Sequence, residues 1–240
     1  MARKQYFLVI DTETTQTDKV ADFVAVVVDR QGKVQTQVGC LVRDFYLDRE
    51  NHPLFHVKGV ADPLWGLANL PKRYAAYDEM LVTGSRMLAS VPAINSWLAK
   101  VNAKYRPVAT AYNLAFDRDK MRKSGIDCDM FSQSFCLWHA AVARYFETRE
   151  FRQFVLETHG FTPPTPHGNM SIKTNAEIMA RFILGDANFP DEPHTALEDA
   201  LDYEVPILAA VLKGRTLSQV MDPPPFNWRS VQVKDWYQPK

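Results

Sequence analysis

Apolar residues form three short segments near the start of the chain. Residues 5–10, QYFLVI, and residues 22–29, DFVAVVVD, are rich in aromatic and β-branched side chains, which is typical of buried strands. Residues 33–43 alternate between apolar and polar positions after a turn at Gln31-Gly32. Because the connections between these strands are short, we predict an antiparallel meander.

Helical periodicity dominates the rest of the chain. We predict a helix from Ser85 to Tyr105, followed by a short strand at PVATAY. Asn113 is expected to cap the next helix, which ends near Gly125. Further helices are predicted at 136–147, 149–159, 173–184 and from about Thr195 to Leu212. Pro206 should kink the last of these helices because it has no backbone N–H to donate.

Two stretches fit neither periodicity. Residues 45–84 contain scattered aromatic residues and prolines, so we predict a long connection with one or two short helices. After Gly214 the pattern fails again, and the tail carries PPPFNW at 223–228. We therefore predict one α/β domain over 1–213 and a proline- and aromatic-rich extension over 214–240, which could bind a partner protein.

Composition narrows the classes of protein. Lys and Arg together number 28, as do Asp and Glu, so the net charge is zero. Proteins that coat nucleic acid are usually basic, so a nucleic-acid protein of this composition is expected to act on ends or short stretches. Three irregularly spaced cysteines predict neither a disulfide framework nor a zinc site. No apolar run approaches about 20 residues, so we expect a cytoplasmic protein without a membrane segment.

Two carboxylates stand at the end of the first predicted strand. Asp11 and Glu13 are two residues apart, so both side chains point to one side of the strand. Carboxylates this close repel each other, and a hard cation such as Mg²⁺ or Mn²⁺ relieves that repulsion. A strand end whose acids cap Thr14 or Thr15 is an equally good interpretation of this pair alone.

Two further motifs place acids near the start of predicted helices. In AYNLAFD, Asp117 lies about one turn into the helix after Asn113, where an acid also favours the helix dipole. Phe116 beside it could wedge a terminal base or fill the core. In PHTALEDALD, His194 precedes a helix that contains Asp199, and a loop histidine suits proton transfer at neutral pH. The structural alternative is an ordinary helix start.

Together, and in this order, the three motifs resemble those of the DEDDh exonucleases. That family has an RNase H-like fold and includes polymerase proofreading subunits, oligoribonuclease and RNase T. The resemblance is carried by DTET at 11–14, NLAFD at 113–117 and HTALED at 194–199, and it spans roughly residues 5–212. Thr195 stands where a sister group has tyrosine, so the chain resembles the histidine variant.

The resemblance implies a fold and a site. The fold is an RNase H-like mixed central sheet, an antiparallel meander plus parallel strands, flanked by helices. Four carboxylates would hold two divalent ions, Mg²⁺ or Mn²⁺, beside a general-base histidine: Asp11, Glu13, Asp117, Asp199 and His194. Residues that would contact the terminal nucleotide are Thr14, Thr15, Asn113 and Phe116. Two departures concern that nucleotide pocket: Gln16 where the family often has Gly, and Tyr112 where it often has His.

The implied function is a two-metal-ion 3′→5′ exonuclease that releases nucleoside 5′-monophosphates from nucleic-acid 3′ ends. We expect DNA, as single strands or frayed ends, to be the substrate. An exoribonuclease or oligoribonuclease-like enzyme acting on RNA is an alternative, because recognition of the 2′-OH depends on pocket shape. A catalytically inactive nucleic-acid-binding scaffold is another, although the intact set of five motif residues speaks against it.

Overall fold

A six-stranded mixed sheet forms the centre of the protein in this computed structural model, which describes residues 4–62, 64–164, 167 and 170–223. The strands are β1 (Tyr6–Thr14), β2 (Val20–Asp29), β3 (Val34–Val42), β4 (Met87–Ala89), β5 (Val108–Ala111) and β6 (Ser134–Cys136). They lie in the order β4-β3-β2-β1-β5-β6. The first three pair antiparallel and the other three join in parallel, which confirms the expected mixed sheet.

Helices pack against both faces of this sheet. They are α1 (Arg43–Tyr46), α2 (Leu70–Thr83), α3 (Val91–Tyr105), α4 (Leu114–Lys123), α5 (Leu137–Tyr145), α6 (Arg149–Thr158), α7 (Ala176–Leu184), α8 (Ala196–Glu198), α9 (Val205–Leu212) and α10 (Leu217–Met221). A 3₁₀ turn covers Leu67–Asn69, and a π-helical segment covers Asp199–Glu204. Among the described helices, none combines the length and apolarity that crossing a membrane requires.

The central strand β1 is buried on both faces. Phe7 and Val9 pack with residues of α5, α7 and α9, whereas Leu8 and Ile10 pack with residues of α3 and α4. Side chains alternate along a strand, so Asp11 continues the face of Phe7 and Val9. The apolar strand that the sequence predicts therefore ends in a carboxylate on its α5–α7–α9 side.

The connection at 45–84 is more regular than its sequence predicts. Instead of short helices alone, it contains the 14-residue α2, with Pro71 in its first turn, where a missing N–H is tolerated. Earlier in this connection, Leu54 forms a β-bridge with Thr15, and the Phe55 N–H donates to the carbonyl of Thr14 at 2.9 Å. The connection therefore lies against the end of β1.

The helix predicted from Ser85 to Tyr105 is wrong at its start. Met87–Ala89 forms β4, which adds a parallel strand beside β3, and α3 begins only at Val91. Met87 and Leu88 are exposed apolar residues that happened to match the helical spacing. The three-residue strand β6 was also not predicted, because so short a segment shows no periodicity.

The last long helix is interrupted rather than only kinked. Its first turn, α8, passes into the π-helical segment, and Pro206 lies in the first turn of α9. After Gly214, α10 forms where no helix was predicted, and its Val220 is buried in the core. The predicted tail motif at 223–228, apart from its first residue, and the chain end lie outside the described residues, as does part of the loop at 160–170.

Candidate active site

The predicted catalytic residues line one cavity of about 190 Å³. They come from the end of β1, from α4, from the loop before α8 and from the first residue of the π-helical segment. The residues are Asp11, Glu13, Asp117, His194 and Asp199. Asn113 and Phe116, which were predicted to contact the nucleotide, line the same cavity. Three motifs that are far apart in the sequence thus meet in one place.

Asp11 and Glu13 lie in the part of β1 that follows its pairing with β5. That pairing joins Phe7–Val9 to Val108–Thr110, so the strand end is open on this side. Burial raises the pKa of both carboxyls well above its usual range. Neighbouring carboxylates add to the effect, since each new negative charge makes ionisation of the next one harder.

Asp117 is held on α4 by a hydrogen bond from β1. The Thr12 hydroxyl donates to Asp117 Oδ1 at 2.8 Å. Burial raises the pKa of Asp117 to about 7, even though the Thr12 hydrogen bond opposes the shift. Asn113 occupies the N-cap position of α4, but its side chain makes no capping hydrogen bond, so the predicted cap is wrong. Asn113 lines the cavity.

His194 lies in the loop before α8 with a left-handed backbone, φ +52°. A non-glycine residue in this conformation carries strain and is often found at functional sites. Its Nδ1 is 4.0 Å from Glu13 Oε1, and its ring packs against Trp65 with centroids 4.9 Å apart. Burial lowers the pKa of His194 below its usual range, so the imidazole is neutral at neutral pH.

Asp199 is a buried carboxylate with an unsatisfied oxygen. Its Oδ1 has no hydrogen-bond partner within the described part of the chain. Burial raises the pKa of Asp199 to about 8, and the negative charges of Glu192 and Glu198 contribute to this rise. The potential ligand atoms of Glu13, His194 and Asp199 all lie within 4.8 Å of one another.

This donor set fits a divalent cation. Across the described residues, no lysine or arginine forms an ion pair with Asp11, Asp117 or Asp199. Burying a carboxylate costs several kcal/mol unless a charge or hydrogen bonds compensate it. Oxygen ligands are those that Mg²⁺ and Mn²⁺ prefer. The unpaired carboxylates are therefore arranged as a hard cation would require.

Sequence reasoning missed two acids that line this cavity, Glu192 and Glu204. Burial raises the pKa of Glu192 to about 7 and that of Glu204 well above its usual range. In an α-helix, residues five apart do not share a face, so the distance from Asp199 gave no sign of Glu204. The feature of the sequence that could have indicated Glu204 is Pro206, because a proline interrupts the regular helix two residues after Glu204.

A second cavity, of about 380 Å³, adjoins the first and also includes Asp11 and Glu13. Its other lining residues are Thr12, Thr14, Asp18, Phe55, Trp65, Phe116 and Lys120. Phe116 is 43% exposed, which excludes the interpretation that it fills the core. Phe55 is 39% exposed and contacts Trp65, with ring centroids 5.5 Å apart. This cavity therefore has aromatic walls, two of which belong to the connection at 45–84.

Arg73 is a buried positive charge that packs against Trp65 and Phe55, two of the aromatic residues that line the second cavity. Its guanidinium lies 4.5 Å from the centre of the Trp65 ring, and its Nη1 donates to the carbonyl of Phe55 at 2.6 Å. Arg73 is 9% exposed, and its charge partly offsets the rise in the pKa of Glu13. The helix α2 thus supports both the aromatic wall and one carboxylate.

Thr14 and Thr15 have different positions. Thr14 lines the second cavity, whereas Thr15 is buried in the turn after β1 and lines neither of the two cavities. Its hydroxyl accepts from the Lys19 N–H at 3.1 Å. The two departures from the family pattern are also structural: Gln16 donates to the carbonyl of His56, and Tyr112 donates to that of Thr174 at 2.6 Å.

A buried ion group holds α8 against the sheet. The Arg86 Nε donates to Asp22 Oδ1 at 3.2 Å, and its guanidinium also binds the carboxylate of Glu198. The Ala196 N–H donates to the other oxygen of Asp22 at 3.1 Å. Gly39 lets α8 approach closely, since a Cβ there would lie 3.2 Å from a Leu197 side-chain atom. His194 and Asp199, which flank α8, are positioned by these contacts.

The basic residues that follow Asp117 are paired with acids. Arg118 and Arg122 both bind Asp129, and Lys120 and Lys123 both bind Asp18. Lys120 also lies 4.9 Å from the centre of the Phe116 ring. Arg122 and Lys123 are exposed, whereas Lys120 is mostly buried and lines the second cavity.

No family model and no curated protein matches the chain. Among solved structures, it is similar to exonuclease I in complex with the inhibitor BCBP, with a TM-score of 0.42 and 14% identity over 91% of this chain and 43% of that one. It is also similar to E. coli exonuclease I in complex with a 5cy-dT13 oligonucleotide, with a TM-score of 0.41 and 15% identity over 88% of this chain and 40% of that one. The chain thus spans less than half the length of either, and a likeness this remote carries no argument about activity.

Proposed function

We propose that this chain is a two-metal-ion 3′→5′ exonuclease that hydrolyses phosphodiester bonds at nucleic-acid 3′ ends. Its expected substrate is DNA, as single strands or frayed ends, and its product is a nucleoside 5′-monophosphate. One observation carries the proposal: residues of three distant motifs line a single cavity. Its carboxylates are buried (Asp117, Asp199) or half-buried (Asp11, Glu13), and none forms an ion pair with a lysine or arginine among the described residues. Ordinary strand-end or helix-start acids would face solvent instead.

Four carboxylates would hold the metal ions. These are Asp11, Glu13, Asp117 and Asp199. When bound, a pair of Mg²⁺ or Mn²⁺ ions lowers the pKa of water and stabilises the charge on the attacking and leaving oxygens of the phosphodiester. The raised pKa values of Asp117 and Asp199 mean that protons compete with the cation for these oxygens.

His194 is the proposed general base. Its imidazole is neutral at neutral pH because burial lowers its pKa, so it can accept the proton of the attacking water. The contact with Trp65 limits the orientation of the ring. Water attacks phosphorus, and the bond from phosphorus to the 3′ oxygen of the preceding nucleotide breaks. The shortened strand keeps a 3′ hydroxyl, and the terminal nucleotide leaves with its 5′ phosphate.

The second cavity is the proposed place of the nucleobases nearest the 3′ end. Base stacking on aromatic side chains tolerates any sequence, because every base has a π-face. Phe116 and Phe55 are exposed enough to offer such a surface. The basic residues of α4 are already paired with acids, and the net charge is zero, so long-range binding of a phosphate backbone is not expected. This combination suits an enzyme that acts on a strand end.

A nuclease assay with end-labelled substrates tests the proposal. Single-stranded DNA, duplex DNA and RNA, each labelled at the 5′ end, are incubated with Mg²⁺, with Mn²⁺ or with chelator. We expect progressive shortening of single-stranded DNA from the 3′ end, release of nucleoside 5′-monophosphates, and no reaction with chelator. Faster cleavage of RNA would favour the oligoribonuclease-like alternative. Absence of turnover with either metal would favour the inactive scaffold.

A further inference from the structure

Glu204 is a buried acid that the three motifs do not include. It is 4% exposed and lines the same cavity as Asp11 and Asp117. Its Oε1 accepts a hydrogen bond from the Tyr112 N–H at 3.1 Å. Its Oε2 is buried and has no hydrogen-bond partner in the part of the chain that the structure describes. One carboxylate oxygen of Glu204 is thus hydrogen-bonded within the protein, and the other is buried without a hydrogen-bond partner among the described residues.

The π-helical segment is what directs Glu204 into the cavity. The Val205 N–H donates to the carbonyl of Ala200, five residues earlier, which is the hydrogen bond that defines a π-helix. Pro206 has no N–H for the carbonyl of Asp202, so a regular α-helix could not continue through this point. Short π-helical insertions occur often at functional sites, where they turn a side chain that an α-helix would direct elsewhere.

The acids of the cavity fall into two groups. The first, with ligand atoms within 4.8 Å of one another, contains Glu13 and Asp199 together with His194. Asp11 and Asp117 are the motif acids outside that group. The Tyr112 N–H that donates to Glu204 belongs to the residue before Asn113, which precedes the helix α4 that carries Asp117. Asp117 in turn accepts a hydrogen bond from the Thr12 hydroxyl, next to Asp11 in β1. Glu204 therefore belongs to the Asp11–Asp117 side.

We propose that Glu204 is a fifth carboxylate of the metal centre and strengthens the binding of a divalent cation on the Asp11–Asp117 side. This inference rests on the proposed function, since it assumes that the cavity binds metal. A desolvated carboxylate with an unbonded oxygen, beside other acids, is unfavourable until a cation neutralises it. Oxygen ligands from several carboxylates suit Mg²⁺ and Mn²⁺.

The alternative is that Glu204 only accepts the Tyr112 hydrogen bond. Glutamine has the same size and a carbonyl oxygen, so it can accept that bond equally well. Glu204→Gln therefore separates the two roles. Asp202→Asn is the matched control, because Asp202 is an exposed acid on the same π-helical segment. Both variants remove one negative charge, but only one removes it from the cavity.

The experiment measures Mg²⁺ and Mn²⁺ binding by isothermal titration calorimetry, with Mn²⁺ stoichiometry checked by electron paramagnetic resonance. We expect the wild-type chain and Asp202→Asn to bind two ions. In Glu204→Gln we expect one of the two affinities to fall by about 10–100-fold, as when a residue that supports a metal ligand is lost. Thermal unfolding gives an independent sign: with chelator Glu204→Gln melts higher than the wild type, and Mn²⁺ raises its melting temperature less.

The outcomes separate this inference from the proposed function. Equal affinities and equal melting behaviour in Glu204→Gln and the wild type would overturn the role of Glu204. Failure of the wild type to bind either ion would overturn the proposed function itself. If Glu204→Gln does not fold by near-ultraviolet circular dichroism, Glu204→Asp decides the question. That variant keeps the charge but withdraws it by one methylene, so weaker binding is expected and unchanged affinity contradicts the proposal.

Discussion

Two groups of buried charge lie on neighbouring parts of this fold and differ in how they are compensated. Around Arg86, one guanidinium binds the carboxylates of Asp22 and Glu198, and both its own side chain and that of Asp22 are fully buried. In the cavity, Asp199 and Glu204 each keep a buried oxygen without a partner among the described residues. The first group is compensated within the protein, whereas the second keeps oxygens without a hydrogen-bond partner among the described residues.

The difference is between buried acids that the protein itself neutralises and buried acids that it leaves unpaired. A satisfied buried ion group fixes one arrangement of the chain, because removing any member leaves an uncompensated charge. An unsatisfied group stores repulsion, which a divalent cation would relieve. Here Arg86 holds α8, and the residues on either side of α8 belong to the unsatisfied group. The paired charges thus position the unpaired ones.

The largest expected effect is on turnover, from removal of a cavity carboxylate. Asp11→Ala or Asp199→Ala should lower the rate by at least about 10³-fold, the upper range for loss of one electrostatic group in an active site. The fold should survive, because each substitution removes an unpaired charge. Single-turnover nuclease assays measure the rate, and circular dichroism checks the fold. Activity within a few-fold of the wild type would contradict the assignment.

Removal of the proposed base should have the next largest effect. His194→Ala is expected to lower the rate by about 10²–10⁴-fold, the usual contribution of a general base. In the wild type the rate should rise as pH rises through the pKa of His194, which burial places below its usual range. At saturating metal concentration, where protons no longer compete for Asp117 and Asp199, the variant should lose this dependence. His139→Ala, at an exposed histidine on α5, is the control and should have the rate and pH dependence of the wild type. An unchanged pH–rate profile in His194→Ala would show that His194 has only a structural role.

Breaking the paired group should lower stability instead of removing a ligand. Arg86→Met leaves Asp22 and Glu198 facing each other without a cation, which costs about 3–5 kcal/mol of unfolding free energy. Urea denaturation with chelator present measures this loss. Arg149→Met, at an exposed position on α6, should change stability by less than about 0.5 kcal/mol. If Arg86→Met lowers the unfolding free energy no more than Arg149→Met does, the ion group around Arg86 does not hold α8 against the sheet.

The acids of the cavity should make the stability of the fold depend on pH. The folded-state pKa of Asp199 is raised to about 8 and that of Asp117 to about 7, so the folded chain binds more protons than the unfolded chain between about pH 4 and 8. With chelator present, the free energy of unfolding should therefore be greatest below the carboxyl pKa of the unfolded chain, and it should fall by several kcal/mol as pH rises through this window. Thermal unfolding at several pH values tests this. Mg²⁺ should weaken the dependence of stability on pH. A stability that does not depend on pH without metal would contradict the inference that the cavity acids lack a compensating charge.

The smallest expected effect concerns the aromatic wall. Phe116→Ala should raise KM by about 5–150-fold, which corresponds to about 1–3 kcal/mol for one base stacked on an aromatic ring. Leu184→Ala is the matched control, because Leu184 is 44% exposed and lines neither of the two cavities. Steady-state kinetics on single-stranded DNA compare the two. A KM that is equal in both variants would remove Phe116 from the nucleotide pocket.

Local patterns predicted the strands and helices that carry the motifs. The strands β1 and β2 were predicted because they contain runs of aromatic and β-branched residues, and β3 because apolar and polar residues alternate along it. The strands β4 and β6, with three residues each, are too short to show a pattern. The helix α2 is longer than the short helices predicted for this connection, because Pro71 and the tyrosines of its sequence resemble those of a loop. Its Arg73 and the neighbouring wall could not be placed from sequence.

By itself, the sequence determined most of the acidic and histidine side chains that line the cavity of the candidate site. Asp11, Glu13, Asp117, His194 and Asp199 were identified from the motifs alone. Only the tertiary structure decided their state, because burial and neighbouring charge raise or lower a pKa and both depend on residues far away in the chain. It also decided that Glu204 faces the cavity, since the π-helical segment changes the direction of a side chain without changing its place in the sequence.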